Sequence, residues 1–517
     1  MNNKSIITCC LGSCFTIGLA HGEVKKPNIV LIMVDQQRAD LLAREGYPLN
    51  TMPCIDNLAQ QGAWFNKAYT TSPASVPART SFLTGRFPKA THVRCNQNEE
   101  DAYFQKDMFH IAKENGYQTA LVGKNHSYLR KDRLDYWSEY NHGGKMGQTN
   151  SEKGKEFDKF LKATQLYASF EAAPGGIESQ PAYRMVDEAT EWIKIVKNNP
   201  FMLWLSFSDP HNPYQVCEPY FSMFRDKLPK LHTTVKDRIL KGEKYEHLAE
   251  MMKIGHVDYD LQIDELRTIY LGMMRMIDDQ LQRFVNNLKD QGVYDNTIIV
   301  FVSDHGDYVG EYSLMKKGAG LDEITTRIPM QWSGPGIKAS ALPQNAHVSM
   351  ADIFPTICEI MDAPIPVDVQ GRSLWPMLQG KEYPKKEFES IYAEHGYGGQ
   401  FYTKKDGTDY IAEGAITKTK YFFDELNTWT QSGFTKMVRK GDWKIIFDME
   451  GNGQLYNLKK DPYELNNLFN TKKYSNVKTE LLEDLLKWEI ATGDPMPTPR
   501  KRYIFKKYQH NYLFEKE

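Results

Sequence analysis

The sequence has almost no net charge and no long basic run. Its 64 Lys and Arg residues nearly balance 66 Asp and Glu residues, which gives a formal net charge of -2. This balance argues against a nucleic-acid or membrane-surface role, because both need a cationic face. Beyond the first 20 residues, no stretch is apolar for long enough to span a bilayer. Any recognition of an anion must therefore come from a local cluster.

Cysteine is also scarce, with seven residues in 517. Three of them, Cys9, Cys10 and Cys14, lie close to the N-terminus, and no zinc-ligand spacing occurs among the others, which are Cys54, Cys95, Cys217 and Cys358. A chain of this length can bury a large core without disulfide bonds. We expect buried free thiols, and the alternative is that export allows some of them to pair.

The N-terminus has the pattern of an export signal. Lys4 precedes a mostly apolar stretch that ends at Gly18-Leu19-Ala20, where small residues favour cleavage. Residues 1–20 are predicted to be a signal peptide, and the mature chain is predicted to reach the periplasm. The alternative is a lipoprotein anchored through Cys14, which follows Leu11-Gly12-Ser13.

Short apolar runs alternate with helical patterns over residues 21–380, which predicts an α/β catalytic domain. Four runs read as strands buried on both faces of a mostly parallel sheet sandwiched by helices: Asn28–Val34, Gln118–Val122, Phe201–Phe207 and Thr297–Val302. Each run ends at ionisable residues, which are Asp35, Lys124, Asp209 with His211, and Asp304 with His305. Ligands bind beyond the carboxyl ends of such strands, so these groups are predicted to share one crevice.

A second anion-binding feature is the segment that starts at Ser75. Pro77 suits the first turn of a helix, and Ser75 just before it is predicted to be the N-cap. The free N–H groups and the positive end of the helix dipole attract anions, and Arg79 lies about one turn further on. The strand ends also offer mostly oxygen ligands, from Asp35, Gln36, Asp304 and the neighbouring His305, which suit Ca²⁺, Mg²⁺ or Mn²⁺.

Residues 381–517 follow a Lys- and Glu-rich linker and are predicted to form a smaller C-terminal subdomain. The runs Thr435–Val438, Trp443–Phe447 and Gln454–Asn457, with a Gly-rich turn at 450–453, predict an antiparallel meander. The apolar spacing of Thr479–Trp488 predicts a helix that packs on it.

The stretch Ser75-Val-Pro-Ala-Arg79, continuing to Gly85-Arg86, resembles the active-site signature of type I formylglycine-dependent sulfatases, in the alkaline phosphatase-like superfamily. The resemblance implies that a maturase oxidises Ser75 to formylglycine, whose hydrate attacks sulfur with one hydroxyl and later expels sulfate with the other. A Ser-type enzyme implies the anaerobic sulfatase-maturing enzyme as a partner. It also implies a bound Ca²⁺, held by Asp35, Gln36, Asp304 and His305 together with the modified Ser75.

Further segments match the family in the expected order, and they imply catalytic roles beside Arg79. Lys124 would hold the formylglycine and sulfate oxygens, and His126 would accept a proton from the hydrate. His211 and Lys317 would face the leaving oxygen, with Lys316 as a rival for the lysine role.

The resemblance implies a bacterial sulfatase that acts on sulfated carbohydrates, such as glycosaminoglycan or mucin-type fragments. Position alone suggests sugar contacts from Arg94, Asn96, Asp307, Glu311 and His395. Gln36 in place of the more common Asp, together with His305, is also similar to phosphonate monoester hydrolases, so a phosphonate or phosphate monoester hydrolase is an alternative. A noncatalytic glycan-binding relative, with Ser75 unconverted, is the other.

Overall fold

The computed structural model describes residues 26–147, 151–256, 258–403, 426, 428–493 and 509–514. The predicted signal peptide and the lipoprotein alternative fall outside these ranges. Within them, no helix has the length and apolar character that crossing a membrane requires. Cys54, Cys217 and Cys358 are buried free thiols and Cys95 is a partly buried one, as the sequence predicted.

An eight-stranded sheet forms the centre of the molecule. The strands up to residue 349 are β1 (Asn28–Val34), β2 (Ala63–Phe65), β3 (Ala68–Tyr69), β4 (Gln118–Lys124), β5 (Tyr136–Asn141), β6 (Gly144–Lys145), β7 (Phe201–Ser206), β8 (Thr297–Ser303), β9 (Met330–Ser333) and β10 (Val348–Ser349). The order in the sheet is β2-β9-β8-β1-β7-β4-β5-β6, and the five strands from β8 to β5 run parallel. Strands β3 and β10 form a separate parallel pair. The four predicted strands are confirmed as β1, β4, β7 and β8.

Helices cover both faces of this sheet, as predicted. Their bounds are α1 (Pro53–Gln60), α2 (Ser75–Thr84), α3 (Pro88–Thr91), α4 (Met108–Glu114), α5 (Glu152–Ala163), α6 (Pro181–Val196), α7 (Tyr220–Met223), α8 (Val235–Lys241), α9 (Glu243–Gly255), α10 (Ile263–Asp290), α11 (Glu323–Thr326), α12 (Ile353–Ile360), α13 (Trp375–Leu378), α14 (Thr428–Gln431) and α15 (Ser475–Thr492). Side chains of β1 alternate between two cores: Val30 and Ile32 face α6 and α10, whereas Ile29 and Leu31 face α2, α4 and α12. Burial on both faces explains the continuous apolar run.

A smaller antiparallel sheet follows, made of β11 (Ser390–Gly398), β12 (Gly433–Lys440), β13 (Trp443–Asp448) and β14 (Gly453–Asn457). Its inner face packs against α15, which confirms the predicted meander and helix. The last described residues return to the first domain, where the Tyr512 hydroxyl donates to Ser373 O at 2.6 Å. The division at residue 380 stays a prediction, and this contact shows that the two parts share a packed surface.

Parallel pairing brings four strand ends together. The backbone N–H of Asp35 donates to Asp209 O at 3.2 Å, and the N–H of Asp304 donates to Val34 O at 3.3 Å. The residues just beyond β1, β7 and β8 therefore line one edge of the sheet, and Lys124 at the end of β4 joins them.

Candidate functional site

A fully buried arginine organises the charges at this edge of the sheet. Arg79, on the first turns of α2, donates from Nε to Asp304 Oδ2 at 2.9 Å and from Nη2 to Asp35 Oδ2 at 3.2 Å. Its Nη1 donates to the carbonyl of Lys124 and to Ser206 Oγ, each at 3.0 Å. The planar fork of a guanidinium can hold several acceptors in one geometry. Arg79 thus ties the ends of β1, β4, β7 and β8 to the start of α2.

The carboxylates of this cluster fit a divalent cation. Ligand atoms of Asp35, Asp304 and His305 lie within 4.8 Å of one another. Asp35 Oδ1 is buried without a hydrogen bond, and His305 Nε2 is 3.9 Å away from it. Burial opposes ionisation of Asp35, but Lys124, His211 and Arg79 outweigh it and hold the pKa well below its usual range. An ionised carboxylate with an unpaired buried oxygen is a ready ligand for a metal ion.

Gln36, predicted to join the metal ligands, has other partners here. Its amide Oε1 accepts a hydrogen bond from Lys317 Nζ at 2.6 Å, and its Nε2 donates to Asp307 Oδ2 at 2.5 Å. Asp307 also accepts from the hydroxyl of Tyr214 at 2.8 Å and from the backbone of Val309 at 2.7 Å. Both oxygens of Asp307 are therefore used inside the protein, and the residue supports Gln36 instead of facing a sugar as predicted.

Ser75 lies beside the candidate metal ligands, but it does not cap its helix. The N-cap of α2 is Ala74, and Ser75 is the first helical residue, so the predicted capping role is wrong. Its Oγ is 3.0 Å from His305 Nε2 instead. His305 Nδ1 lies 2.9 Å from Gly306 O and donates to it, which leaves Nε2 to accept the serine proton. Burial lowers the pKa of His305, which favours this neutral form.

Lys124, the last residue of β4, and His126, two residues later, both lie at the cluster. Lys124 Nζ donates to Asp35 Oδ2, and burial lowers the pKa of the amine to about 8 despite that carboxylate. His126 has a left-handed backbone with φ of 43°. Its Nδ1 is buried without a hydrogen bond, and burial together with Lys124 lowers its pKa well below the usual value. His126 is thus a neutral base with an unused nitrogen.

His211 and Lys317 form a pair next to Gln36. Lys317 Nζ is 3.2 Å from His211 Nε2, and His211 Nδ1 is 2.6 Å from Asn212 O, to which it donates. Burial lowers the pKa of His211 well below its usual value. The structure places Lys317 at the cluster, whereas Lys316 contributes its backbone carbonyl to Tyr308 N at 2.8 Å.

His142 is a member of the cluster that sequence reasoning missed. It lies on the turn between β5 and β6, and its Nε2 accepts from Lys124 Nζ at 2.8 Å. Its ring stacks on that of His211 with 4.0 Å between centroids. Its Nδ1 is buried without a hydrogen bond. His142 follows the end of β5, and the parallel pairing of β5 with β4 brings it to Lys124. It was missed because β5 was not among the predicted strands.

The remaining predicted sugar contacts divide into two groups. Glu311 accepts from Thr233 N at 2.9 Å and from Thr233 Oγ1 at 2.6 Å, and buried His395 lies 3.1 Å from Thr430 O. These two side chains hold loops together and are not part of the crevice cluster. Asn96 accepts from the backbone N–H of Val76 at 3.0 Å, so it caps the helix that carries Ser75, and Arg94 lies in the same loop.

The sulfatase family model matches residues 27–363, well over half of the chain. The chain belongs to the sulfatase family. An arylsulfatase of Clostridium perfringens is 27% identical over 490 residues, covering 89% of this chain and 94% of that protein. An N-acetylglucosamine-6-O-sulfatase of Bacteroides thetaiotaomicron is 24% identical over 535 residues, covering 94% and 90%.

Among solved structures, a phosphonate monoester hydrolase from Silicibacter pomeroyi superposes on the sulfatase chain with a TM-score of 0.75. The two share 18% identity, and the match covers 90% of this chain and 96% of the other. At that identity the likeness shows the fold, which combines the mostly parallel sheet with the smaller antiparallel one.

Proposed function

We propose that this protein is an exported sulfatase that removes sulfate from carbohydrates, with Ser75 as the precursor of its nucleophile. One observation carries the proposal. Ser75 Oγ lies at the start of α2, 3.0 Å from the imidazole of His305, and His305 also flanks the unpaired buried oxygen of Asp35. A nucleophile, a metal-ligand set and a helix N-terminus thus converge where a sulfate group would bind.

Two groups would complete this site. Formylglycine formed from Ser75 would supply a nucleophilic oxygen for attack at sulfur, which splits hydrolysis into two easier steps. A Ca²⁺ ion held by Asp35, Asp304 and His305 would offset the negative charge of the sulfate oxygens. The residues fit the ion, because the pKa of Asp35 is held well below its usual range and one of its oxygens has no hydrogen bond, and Ser75 lies beside them.

The chain's own residues then hold the sulfate and the leaving oxygen. Arg79 keeps Asp35 and Asp304 in position, and Lys124 offers an ammonium group to the anion. When the ester S–O bond breaks, the alkoxide that leaves needs a proton. Lys317 and His211, 3.2 Å apart, are the pair that can supply it. His126, with its unused nitrogen, is the base for the step that releases sulfate.

The carbohydrate substrate is proposed from relatives, since the matches include an N-acetylglucosamine-6-O-sulfatase and an ulvan-active sulfatase. Glycosaminoglycan or mucin-type fragments are the expected source. The maturation partner is the anaerobic sulfatase-maturing enzyme, which acts on a serine. The leader in residues 1–20 supports delivery of the protein to the periplasm.

The test is sulfate release from a panel of singly sulfated sugars, using protein that peptide mass shows to carry formylglycine at position 75. We expect fast turnover of at least one sulfated sugar and none by protein with unmodified Ser75. If the fully converted enzyme hydrolyses no sulfate ester in the panel, the proposal is wrong.

A phosphonate or phosphate monoester hydrolase is the second candidate. Gln36 is uncharged where a second carboxylate is more common, and it bonds to Lys317, which leaves the cluster less negative toward a doubly charged ester. The likeness to a phosphonate monoester hydrolase concerns the fold alone. Phosphorylated counterparts in the same panel decide between the two, because this candidate requires faster turnover of the phosphorus esters.

A further inference from the structure

Arg94, in the loop after α3, has no hydrogen-bond acceptor among the residues that the structure describes. Its side chain is partly buried, with the Nε atom fully shielded from solvent. Its guanidinium has no hydrogen bond to, and no ion pair with, any residue that the structure describes. The group lies over the ring of Phe434, 5.0 Å from its centroid. A shielded donor left unpaired is destabilising, more so when it is charged, so such donors are rare in folded proteins.

The neighbouring cations do not share this property. Lys89 pairs with Glu489 at 3.0 Å. Lys436 pairs with Glu489 as well and lies 3.7 Å from Glu394. The charges of the two lysines are therefore balanced locally, whereas that of Arg94 is not. Burial lowers the pKa of Lys436 to about 8 in spite of Glu394, and the charges of Lys89 and Arg94 lower it further.

Arg94 also lies close to the proposed sulfate site. Asn96, two residues further along the loop, accepts a hydrogen bond from the backbone N–H of Val76 at 3.0 Å. Two residues of extended chain span about 7 Å at most, so the backbone of Arg94 lies within that distance of Asn96, whose side chain contacts the start of α2. Asn98 holds the loop by accepting from the backbone N–H of Arg94 at 3.0 Å. The backbone at Arg94 is therefore held within the loop, and its guanidinium lies against Phe434.

Phe434 comes from the other sheet. It lies on β12 in the smaller antiparallel sheet, and Lys436 follows on the same strand, 5.8 Å from the Phe434 ring centroid. An aromatic face holds an arginine plane while leaving the N–H edges of the guanidinium open. A loop of the first domain and a strand of the smaller sheet thus contribute one residue each to a positively charged position.

We propose that Arg94 and Phe434 form a subsite for a second anionic group on the substrate, a carboxylate or a second sulfate, next to the sulfate that is removed. The inference rests on the proposed sulfatase function and narrows the substrate to acidic, multiply charged saccharides. A guanidinium binds either oxyanion through paired N–H donors, and Phe434 offers an apolar face to the sugar ring. Occupation of the subsite would give Arg94 the acceptor that it lacks.

The experiment compares formylglycine-carrying wild type with Arg94→Ala on three matched sulfated sugars: one neutral apart from its scissile sulfate, one with an adjacent uronate carboxylate and one with a second sulfate. We expect the wild type to prefer one acidic sugar. Arg94→Ala should lower kcat/KM on that sugar by about 10–100-fold, mainly through KM, because a hydrogen bond to a charged group contributes about 1.5–3 kcal/mol. The neutral sugar should change less than about threefold. The two acidic arms identify which anion is bound.

Two further variants serve as controls. Arg130→Ala removes an arginine that is 65% exposed and already paired with Glu100, and it should leave all three substrates unchanged. Arg94→Lys keeps the charge without the planar fork and should recover part of the loss. Binding by calorimetry to protein with unmodified Ser75 gives a readout without turnover, and Arg94→Ala should weaken only the acidic sugars.

The two ways of failing are distinct. If converted wild type hydrolyses no sulfate ester, the proposed function fails and the subsite falls with it. If it hydrolyses sulfate esters, but Arg94→Ala loses the same factor on neutral and acidic sugars or loses nothing, the sulfatase function stands and the subsite is wrong.

Discussion

The sulfatase chain contains two buried clusters of charge that share one segment, residues 304–323, and differ in how completely they are paired. The first is the crevice cluster, formed by Asp35, Arg79, Lys124, Asp304, His305 and Lys317. The second, the junction cluster, joins the two sheets and consists of Lys241, Asp322, Glu323, Arg439, Lys444 and Glu464. Both are nearly free of solvent contact. The two clusters therefore contain similar side chains in similar burial but differ in their pairing.

Every carboxylate of the junction cluster has a cation close by. Lys241 lies 2.7 Å from Asp322, Arg439 lies 2.7 Å from Glu323, and Lys444 lies 2.9 Å from Glu464. Hydroxyls of Tyr245 and Tyr308 donate to Asp322 as well. Three junction atoms, Lys241 Nζ, Asp322 Oδ1 and Glu464 Oε1, have no hydrogen bond, but each lies within 2.9 Å of an opposite charge. The crevice carboxylates are paired as well, with Arg79 and Lys124. By contrast, Asp35 Oδ1 has no hydrogen bond and lies 3.9 Å from His305 Nε2, and next to the cluster Nδ1 of His126 and of His142 has no hydrogen bond.

This difference separates a structural network from a binding site. A buried charge that is fully paired holds its surroundings in place, and removing one partner is costly. A buried polar atom without a partner costs stability that folding alone does not recover, so it marks a place where a ligand is expected. Mutations in the crevice cluster should therefore lower activity and leave stability nearly unchanged. Mutations in the junction cluster should lower stability and leave activity nearly unchanged.

The largest expected effect is on activity in the crevice. Lys317→Met removes the ammonium next to His211 and keeps a side chain of similar length. We expect kcat/KM for the best sulfated sugar to fall about 10³-fold, because one charged donor at a developing oxyanion contributes on that scale. The melting temperature should stay within a few degrees. If Lys317→Met instead lowers stability and leaves activity per folded molecule unchanged, Lys317 has a structural role and the comparison between the clusters is wrong.

The second effect is on stability at the junction. Lys444→Met leaves Glu464 without its closest cation and weakens the surroundings of Glu323. We expect the free energy of unfolding to fall by about 3–5 kcal/mol, as for other broken buried pairs. Denaturant titration measures this loss. Activity per folded molecule at low temperature should remain within about threefold, because Lys444 does not touch the crevice residues.

Lys440→Met is the matched control for that variant. Lys440 lies on the neighbouring strand β12, and its side chain is 29% exposed while pairing with Glu480 at 2.8 Å and Asp484 at 3.0 Å. Exposed pairs contribute about 0–1 kcal/mol, so this variant should be nearly neutral. If Lys440→Met and Lys444→Met lower the free energy of unfolding equally, the buried junction pairs contribute no more to stability than exposed pairs do.

The sequence predicted the crevice better than the junction, and for a physical reason. Strands buried on both faces read as apolar runs, so β1, β4, β7 and β8 were predicted along with the charged residues at their ends. Parallel pairing then required those ends to meet. Asp35, Lys124, Asp304 and His211 lie together for that reason, whereas Arg79 comes from α2 and Lys317 from a loop beyond β8. The catalytic roles of these residues stay predictions.

Contacts between distant segments could not be predicted in the same way. The capping role of Ser75 was wrong because His305, 230 positions away, takes its hydroxyl. His142 went unnoticed because an isolated histidine on a turn carries no periodic signal. Asp307 and Glu311 were assigned to a sugar by position, yet partners from other loops use their oxygens. Strand β11 and the junction pairs likewise depend on tertiary packing.

The smallest effect is stabilisation by a metal ion, which separates the two clusters without any turnover. If Asp35, Asp304 and His305 hold Ca²⁺, adding the ion at about 100 times its Kd should stabilise the folded protein by about 2.7 kcal/mol, since an ion that binds only the native state acts by mass action. Thermal unfolding with Ca²⁺ or with a chelator measures the shift. Asp304→Asn removes a ligand charge and should abolish it, whereas Lys444→Met, although less stable overall, should keep the full shift because it leaves Asp35, Asp304 and His305 intact. A shift of the same size in Asp304→Asn would mean that the stabilising ion binds elsewhere, and the unpaired oxygen of Asp35 would then need another explanation.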